Sequence, residues 1–219
     1  MAKIGLSEAI QDYLREIYRL QAGGGRATTS AIAKRMMVAP SSASSMLKKL
    51  SALGLVEHRP YRGVLLTESG ERIALEVVRH HRLLEQYLAE TLGIGIDAVH
   101  AEADRLEHAL SEELEARIDE SLGYPTHDPH GDPIPNSRLK LDRSRLRSLA
   151  GLEPGEEATI RRVPHGDAEL LRYLSSLALI PGGRVEMRRA APFGGPVTVL
   201  VAGIEHAISR EIAGLIGVA

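Results

Sequence analysis

The sequence predicts a mainly α-helical chain in three parts: a helix-turn-helix with a β-hairpin, a pair of long helices, and a small C-terminal β-barrel. Apolar residues recur at helical spacing through most of the first 122 residues. Aromatic residues make up only 3% with no Trp, so the cores must be aliphatic, which suits helices. After residue 156, short β-type runs alternate with Pro-Gly and Gly-Gly turns, a pattern typical of a small barrel.

Composition and charge narrow the possible functions. The 219 residues include no cysteine, which excludes disulfides, thiolate metal sites and cysteine nucleophiles. No apolar run approaches the roughly 18 residues of a membrane span and no signal-peptide core is present, so we expect a cytoplasmic protein with no membrane partner. Residues 1–66 hold ten Lys/Arg against four Asp/Glu, whereas residues 67–122 hold five against fourteen. The basic block indicates an anionic partner such as nucleic acid, and the acidic block indicates cations or a merely solvated surface.

The first 66 residues are predicted to form three helices and a hairpin. Residues 6–21 carry an apolar stripe, and the glycines at 23–25 end that helix. A second helix, TSAIAKRMMV, is capped by Thr28 or Thr29, and the turn VAPSS joins it to a third, SSASSMLKKLSALGLV. Two short helices joined in this way form a helix-turn-helix. The run LVEHRPYRGVLLTESG then predicts a hairpin with RPYRG at its tip.

Candidate contacts to double-stranded DNA lie on the third helix and the hairpin. Small hydroxyl side chains allow a helix to approach phosphates and base edges closely, and basic side chains supply charge. The candidates are Ser41, Ser42, Ser44, Ser45, Lys48, Lys49, Arg59 and Arg62. The alternative is a structural helical hairpin that binds no ligand.

Long helices are predicted from Thr67 to Gly93 and from Asp97 to Leu122. Their apolar stripes are wider than a small domain needs, which indicates a dimer interface. They also carry side chains that could hold a divalent cation, although a solvated polar face remains the alternative. These are His81 and Glu85 on the first helix, and His100, Asp104, Glu107 and His108 within one sector of the second. His127 and His130, in the proline-rich segment 123–137, are predicted to be loop residues rather than ligands.

Taken together, these segments resemble the diphtheria toxin repressor family, which includes manganese transport regulators. The resemblance covers nearly the whole chain and is carried by QDYLREIYRL, VAPSSASSMLKKL, YRGVLLTESG, HHRLLEQYL, VHAEADRLEH and HDPHGDPIP. The segments LEPGEEATIRRV, LIPGGRVEM and APFGGPVTV are similar to the SH3-like domain of that family. The implied domains are a winged helix-turn-helix (1–66), a helical metal-binding and dimerisation domain (67–136) and an SH3-like domain (137–219).

The resemblance implies a homodimeric transcriptional regulator that binds operator DNA and is activated by Mn²⁺ or Fe²⁺. It implies a repressor of metal-uptake genes, with no enzymatic activity and no small organic substrate. Its implied primary metal site comprises Asp12, Asp104, Glu107 and His108. The implied ancillary site comprises His81, Glu85 and His100, and Asp167 or Glu169 are the candidates for ligands from the SH3-like domain.

The chain departs from both branches of this family. Iron-sensing members carry methionine and cysteine where this chain has Asp12 and Asp104, and manganese-type members carry an acid where it has Arg15. Carboxylate and imidazole groups without sulfur suit Mn²⁺ and Fe²⁺. Two other functions are compatible with the residues: a metal-independent winged-helix regulator, and a metallohydrolase. Against the metallohydrolase, the sequence has no nucleophile motif and no phosphate loop.

Overall fold

The computed structural model divides the chain into two compact units. The described residues are 6–22, 27–59, 63–142 and 144–219. The first unit comprises residues 1–80, 107–109 and 135–140, and the second comprises residues 81–106, 110–134 and 141–219. Arg62 of the predicted hairpin tip lies outside the described residues. Within those residues, no helix combines the length and apolar character that a bilayer crossing needs.

The predicted helix-turn-helix and hairpin are confirmed. The elements are α1 (Glu8–Ala22), α2 (Thr29–Arg35), α3 (Pro40–Ala52), β1 (Val56–Arg59) and β2 (Gly63–Leu66). Thr28 caps α2 because its side chain accepts a hydrogen bond from the Ala31 N–H. Pro40 begins α3, where its missing N–H would have no helical partner. Met37, in the turn between these helices, has a φ of 52°.

The hairpin packs onto the segment that precedes α2. β1 and β2 pair antiparallel with Arg59 opposite Gly63, and Val64 bridges Ala27 on the other side of β2. Gly63 has a φ of +89°, and a Cβ there would lie 2.9 Å from the Ala27 carbonyl oxygen, so glycine is required at this crossing. The largest fully buried side chains of this part are Leu14, Ile17, Ile32, Leu47 and Leu50.

The first long helix forms as predicted, and the second does not. α4 (Glu68–Leu92) begins at Thr67, whose hydroxyl accepts a hydrogen bond from the Gly70 N–H. The single helix predicted from Asp97 to Leu122 is wrong, because the chain forms α5 (Val99–Leu106) and then α6 (Glu112–Ser121). Ser111 starts α6 by accepting a hydrogen bond from the Leu114 N–H. Residues 107–109 therefore form a turn and leave the face of α5.

The C-terminal part is a small β-domain with two short helices. Its elements are β3 (Arg147–Ser148), a 3₁₀ turn (Leu149–Gly151), β4 (Glu157–Arg162), α7 (Ala168–Ser176), β5 (Arg184–Ala190), β6 (Val197–Val201), β7 (Ile204–Ile208), α8 (Arg210–Leu215) and β8 (Gly217–Val218). All strand pairs are antiparallel, in the order β3-β8-β4-β5-β6-β7. The core includes Leu149, Ile160, Leu179, Met187 and Val199. The predicted fold class is confirmed, and the domain boundaries at residues 66 and 136 stay a prediction.

Candidate metal centres and nucleic-acid interface

The first group of potential metal ligands, the Asp12 cluster, comprises Asp12, Glu107 and His108. His108 Nε2 lies 3.1 Å from Asp12 Oδ1 and 3.4 Å from Glu107 Oε1. One ligand-type atom from each residue lies within 4.8 Å of the others. Glu107 is buried and Asp12 is partly exposed. The cluster therefore joins α1 of the helix-turn-helix region to the turn that follows α5, and both parts belong to the first unit.

Neighbouring groups orient His108 for ligation. Its Nδ1 lies 3.0 Å from Gln11 Oε1, and the Gln11 amide nitrogen donates to the Leu6 carbonyl at 3.1 Å. The Gln11 oxygen thus accepts from Nδ1–H, which leaves the lone pair of Nε2 directed at the two carboxylates. Burial raises the pKa of Asp12 above its ordinary value, and the Arg15 charge and the hydrogen bond with His108 oppose that rise only in part. A divalent cation would favour the ionised carboxylate.

The second group, the His81 cluster, comprises His81, His100 and Asp104. His81 Nδ1 lies 3.4 Å from Asp104 Oδ1, and His100 Nε2 lies 3.7 Å from Asp104 Oδ2. The two imidazole rings meet edge to face with centroids 4.7 Å apart. Glu85 Oε1 lies between them, 3.0 Å from His81 Nε2 and 2.9 Å from His100 Nδ1. The predicted grouping of His81, Glu85 and His100 is therefore brought together by α4 and α5.

The third group, the Glu85 cluster, comprises Glu85, Asp128 and His130, all buried. His130 Nε2 donates to the Ile96 carbonyl at 3.0 Å, so its Nδ1 carries the lone pair. That Nδ1 is buried and makes no hydrogen bond within the described residues. It lies 3.7 Å from Glu85 Oε2 and 3.9 Å from Asp128 Oδ1, too far for a hydrogen bond but suitable for a shared cation. The residues present therefore fit a divalent metal ion.

Charge in the Glu85 cluster is balanced unevenly. Burial alone would raise the pKa of Glu85, but the imidazoles of His100, His130 and His81 outweigh burial and hold that pKa well below its ordinary value. Burial, together with the charges of Glu85 and Asp132, raises the pKa of Asp128 to about 7. Ionising both carboxylates in this buried space is unfavourable because of their mutual repulsion and lost hydration. A divalent cation would supply the positive charge that stabilises both.

Backbone contacts fix the loop that carries Asp128 and His130. The Asp128 carboxylate accepts hydrogen bonds at 2.9 Å from the N–H groups of His130 and Asp132. The His130 carbonyl accepts from Val163 N at 2.9 Å. At Gly131, with φ of +86°, a Cβ would lie 1.8 Å from the Arg161 carbonyl oxygen, so no other residue fits. The sequence signal that could have indicated a ligand-bearing loop is the run HDPHGDP, in which Asp, His and Gly alternate.

The structure regroups several predicted ligands. The resemblance groups Asp104 with Asp12, but Asp104 lies on α5 beside His81 and His100, because the helix ends before Glu107. His130, predicted to be a loop residue only, has its imidazole in the Glu85 cluster. Asp167 caps α7 by accepting hydrogen bonds from the N–H groups of Glu169 and Leu170. Neither Asp167 nor Glu169 belongs to a ligand cluster within the described ranges.

The C-terminal domain brings a different residue, His165, toward the clusters. His165 Nδ1 lies 2.7 Å from Asp132 Oδ2. Its ring centroid lies 5.7 Å from that of His100 and 6.1 Å from that of His130. Sequence reasoning missed this histidine because it stands in a loop with no helical period, two residues before the predicted Asp167.

The third helix of the helix-turn-helix presents the predicted polar face. Ala43, Leu47 and Leu50 of α3 are buried, so the opposite side of the helix is free to contact a ligand. Ser44 is half-buried, and the exposed members of the predicted set are Ser41, Ser42, Ser45, Lys48 and Lys49. A surface groove of about 480 Å³ is lined by Ser41, Ser42, Ser45, Met46 and Lys49. Arg59 ends β1.

Lys48→Ala and Lys49→Ala test this interface. Each lysine that neutralises one phosphate releases about one counterion, so each variant should lower the slope of log affinity against log salt by about one. The measurement is binding to the upstream DNA of the gene across a salt series. Lys140→Ala is the control, because Lys140 is an exposed lysine outside the helix-turn-helix and the hairpin. Unchanged slopes for both α3 variants would show that neither lysine contacts a DNA phosphate.

A basic helix-turn-helix with a hairpin, in one chain with buried imidazole and carboxylate clusters, defines a class of metal-responsive DNA-binding proteins. Residues 5–64 match the iron dependent repressor N-terminal DNA binding domain. Residues 67–136 match the iron dependent repressor metal binding and dimerisation domain, and residues 147–219 match the FeoA domain. The chain belongs to the iron-dependent repressor family.

Relatives match along almost the whole chain. The iron-dependent repressor IdeR of Mycobacterium tuberculosis (strain CDC 1551 / Oshkosh) is 32% identical over 213 residues, which cover 92% of each protein. The diphtheria toxin repressor of Corynebacterium efficiens is 34% identical and covers 94% of this chain and 96% of its own. One solved structure is described as a manganese-dependent transcriptional repressor in complex with manganese. It is 38% identical with a TM-score of 0.88, and the match covers 96% of this chain and 99% of that one. The structure of the manganese regulator SloR is 31% identical with a TM-score of 0.78, and the match covers 96% of this chain and 97% of that one.

Proposed function

We propose that this chain is a metal-dependent transcriptional repressor that binds operator DNA as a homodimer and responds to Mn²⁺ or Fe²⁺. The observation that carries the proposal is the Asp12 cluster, which joins the helix next to the helix-turn-helix to the Glu107–Ala109 turn. The family match and the metal-dependent repressors among the similar proteins support it. A homodimer is supported by the dimerisation domain matched at residues 67–136.

Asp12, Glu107 and His108 would hold one cation, and Glu85, Asp128 and His130 would hold another, with the His81 cluster beside it. Oxygen and imidazole donors without sulfur suit Mn²⁺ and Fe²⁺. A bound ion supplies positive charge that draws the ligand groups together. α1 packs against α2 and β2, so holding Asp12 against Glu107 and His108 restricts the helix-turn-helix. Because that arrangement binds the ion better than alternatives do, metal shifts the population toward the form that binds DNA.

Metal removal tests the proposal. Chelated protein is expected to lose specific binding to the upstream DNA of its gene, and added Mn²⁺ or Fe²⁺ should restore it. The measurement is fluorescence anisotropy at fixed salt and pH, with an unrelated DNA of equal length as the control. Equal affinity with and without metal would favour the metal-independent regulator instead.

A regulatory role rather than an enzymatic one is supported by the relatives, which are named as repressors. We extend this to a complete absence of catalysis, to a cytoplasmic location and to metal-uptake genes as targets. Turnover of model phosphate and carboxylate esters by the Mn²⁺-loaded protein would contradict the first of these statements.

A further inference from the structure

A buried arginine stands inside the Asp12 cluster. Arg15 follows Asp12 by one turn of α1 and is 8% exposed. Its guanidinium contacts Glu107 Oε1 through Nη1, and Nη2 lies 3.6 Å from Asp12 Oδ1. Because a guanidinium stays protonated at any relevant pH, a fixed positive charge lies between both carboxylates of the cluster.

This charge changes the electrostatic balance of metal binding. Asp12 and Glu107 together carry two negative charges when ionised, and Arg15 reduces the net charge to −1. A divalent cation then leaves the group at +1, whereas the same group without Arg15 would reach neutrality. The contacted oxygen of Glu107 is also the one that lies 3.4 Å from His108 Nε2, so guanidinium and metal compete for one acceptor.

We infer that Arg15 sets the metal threshold of the protein: it stabilises the ion-free Asp12 cluster and weakens the binding of the activating cation. The inference rests on the metal-dependent function proposed above and concerns how that same site is tuned. With Arg15 present, a higher concentration of free Mn²⁺ or Fe²⁺ is needed for the DNA-binding form.

The competing role for Arg15 is to position Glu107 for ligation. The backbone near Glu107 is held independently, because His80 Nδ1 donates to the Glu107 carbonyl at 3.2 Å. The two roles predict opposite signs. Removing a competing charge tightens metal binding, and removing a positioning group weakens it.

The test compares Arg15→Met, which keeps length and loses charge, with Arg15→Lys, which keeps the charge. Arg19→Met is the matched control, since Arg19 lies one turn further along α1 and pairs with Glu16 at 2.8 Å, outside the cluster. Mn²⁺ binding is measured by titration calorimetry on DNA-free protein at fixed pH and salt. The binding class that Glu107→Gln removes is the one that belongs to the Asp12 cluster.

Arg15→Met is expected to bind Mn²⁺ in that class about tenfold more tightly than wild type, because a nearby like charge has been removed. Arg15→Lys and Arg19→Met should stay close to wild type. The thermal midpoint of metal-free Arg15→Met should lie below that of metal-free wild type. Saturating Mn²⁺ should reduce the difference between the two midpoints. If metal-free Arg15→Met does not fold, its midpoint as a function of Mn²⁺ yields the affinity.

Weaker or unchanged Mn²⁺ binding by Arg15→Met would overturn the inference and leave the proposed function intact. Wild-type protein that binds no Mn²⁺ in the Glu107-dependent class would overturn the proposed function and this inference together. A smaller Mn²⁺ concentration for half-maximal operator binding by Arg15→Met supports it from an independent measurement.

Discussion

Glu107→Gln is expected to reduce metal-stimulated operator affinity about 100-fold, to the level of chelated wild-type protein. Glu107 is fully buried, and both the His108 imidazole and the Arg15 guanidinium lie next to its Oε1. Glutamine keeps the shape and a carbonyl oxygen for Arg15, but it lacks the charge that a cation requires. The metal response should therefore be lost. The metal-free variant should also unfold at a lower temperature than wild type, because the buried Arg15 guanidinium loses its charged partner, and thermal unfolding checks that the variant is folded at the assay temperature.

Three comparisons make this result specific. His108→Ala should cause a loss of similar size, because it removes the imidazole of the same cluster. His81→Ala should cause a smaller loss, since His81 belongs to another group of ligands. Glu90→Gln removes one carboxylate from an exposed position of α4 and should change nothing. A larger loss for His81→Ala than for Glu107→Gln would show that the His81 cluster, and not the Asp12 cluster, controls DNA binding.

The parts of the site that were predictable from sequence lie within single regular helices. His81 and Glu85 are four residues apart on α4, and His100 and Asp104 are four apart on α5, so helical geometry alone places each pair on one face. The helix-turn-helix was equally predictable from the sequence, because its short helices, its turn and its polar face are all local features.

Predictions failed where a helix was assumed to continue or where tertiary contacts decide the conformation. A continuous helix would put Glu107 and His108 on the face of Asp104, but α5 ends at Leu106 and Ser111 caps a separate helix. The position of His130 depends on packing of its loop against β4, including the close approach at Gly131. No local period encodes such a contact. All three clusters therefore required the structure for their correct membership.

The second large effect concerns pH and the Glu85 cluster. Mn²⁺ affinity there is expected to fall about tenfold for each pH unit below about 7, because a proton on Asp128 must then be displaced by the metal. Burial alone would lower the pKa of His130, but the Glu85 and Asp128 carboxylates raise it, so protonation of this imidazole makes the loss of Mn²⁺ affinity steeper. Proton release on Mn²⁺ binding, measured calorimetrically in buffers of different ionisation enthalpy, gives the number displaced.

The same shift makes metal-free stability depend on pH. The pKa of Asp128 is raised from 3.8 to about 7 on folding, so the folded state binds this proton more tightly and loses stability as pH rises from about 4 through about 7. Asp132 is different: burial is outweighed by the His165 hydrogen bond and the charge of Arg82, which lower its pKa to about 2. Its contribution is lost only as pH falls toward 2, outside that window.

Asp128→Asn separates these contributions. The asparagine oxygen can still accept the backbone N–H groups of His130 and Asp132, but the side chain cannot ionise. At pH 8 the metal-free variant should be more stable than wild type by about 2 kcal/mol, roughly half of the full shift, because neighbouring carboxylates share the coupling. At pH 4 the two should be nearly equal. Mn²⁺ should stabilise wild type far more than the variant at pH 8. Equal metal-free stability at both pH values, measured by denaturant unfolding, would mean that Asp128 is ionised at neutral pH and that a metal ion is not needed to balance this cluster.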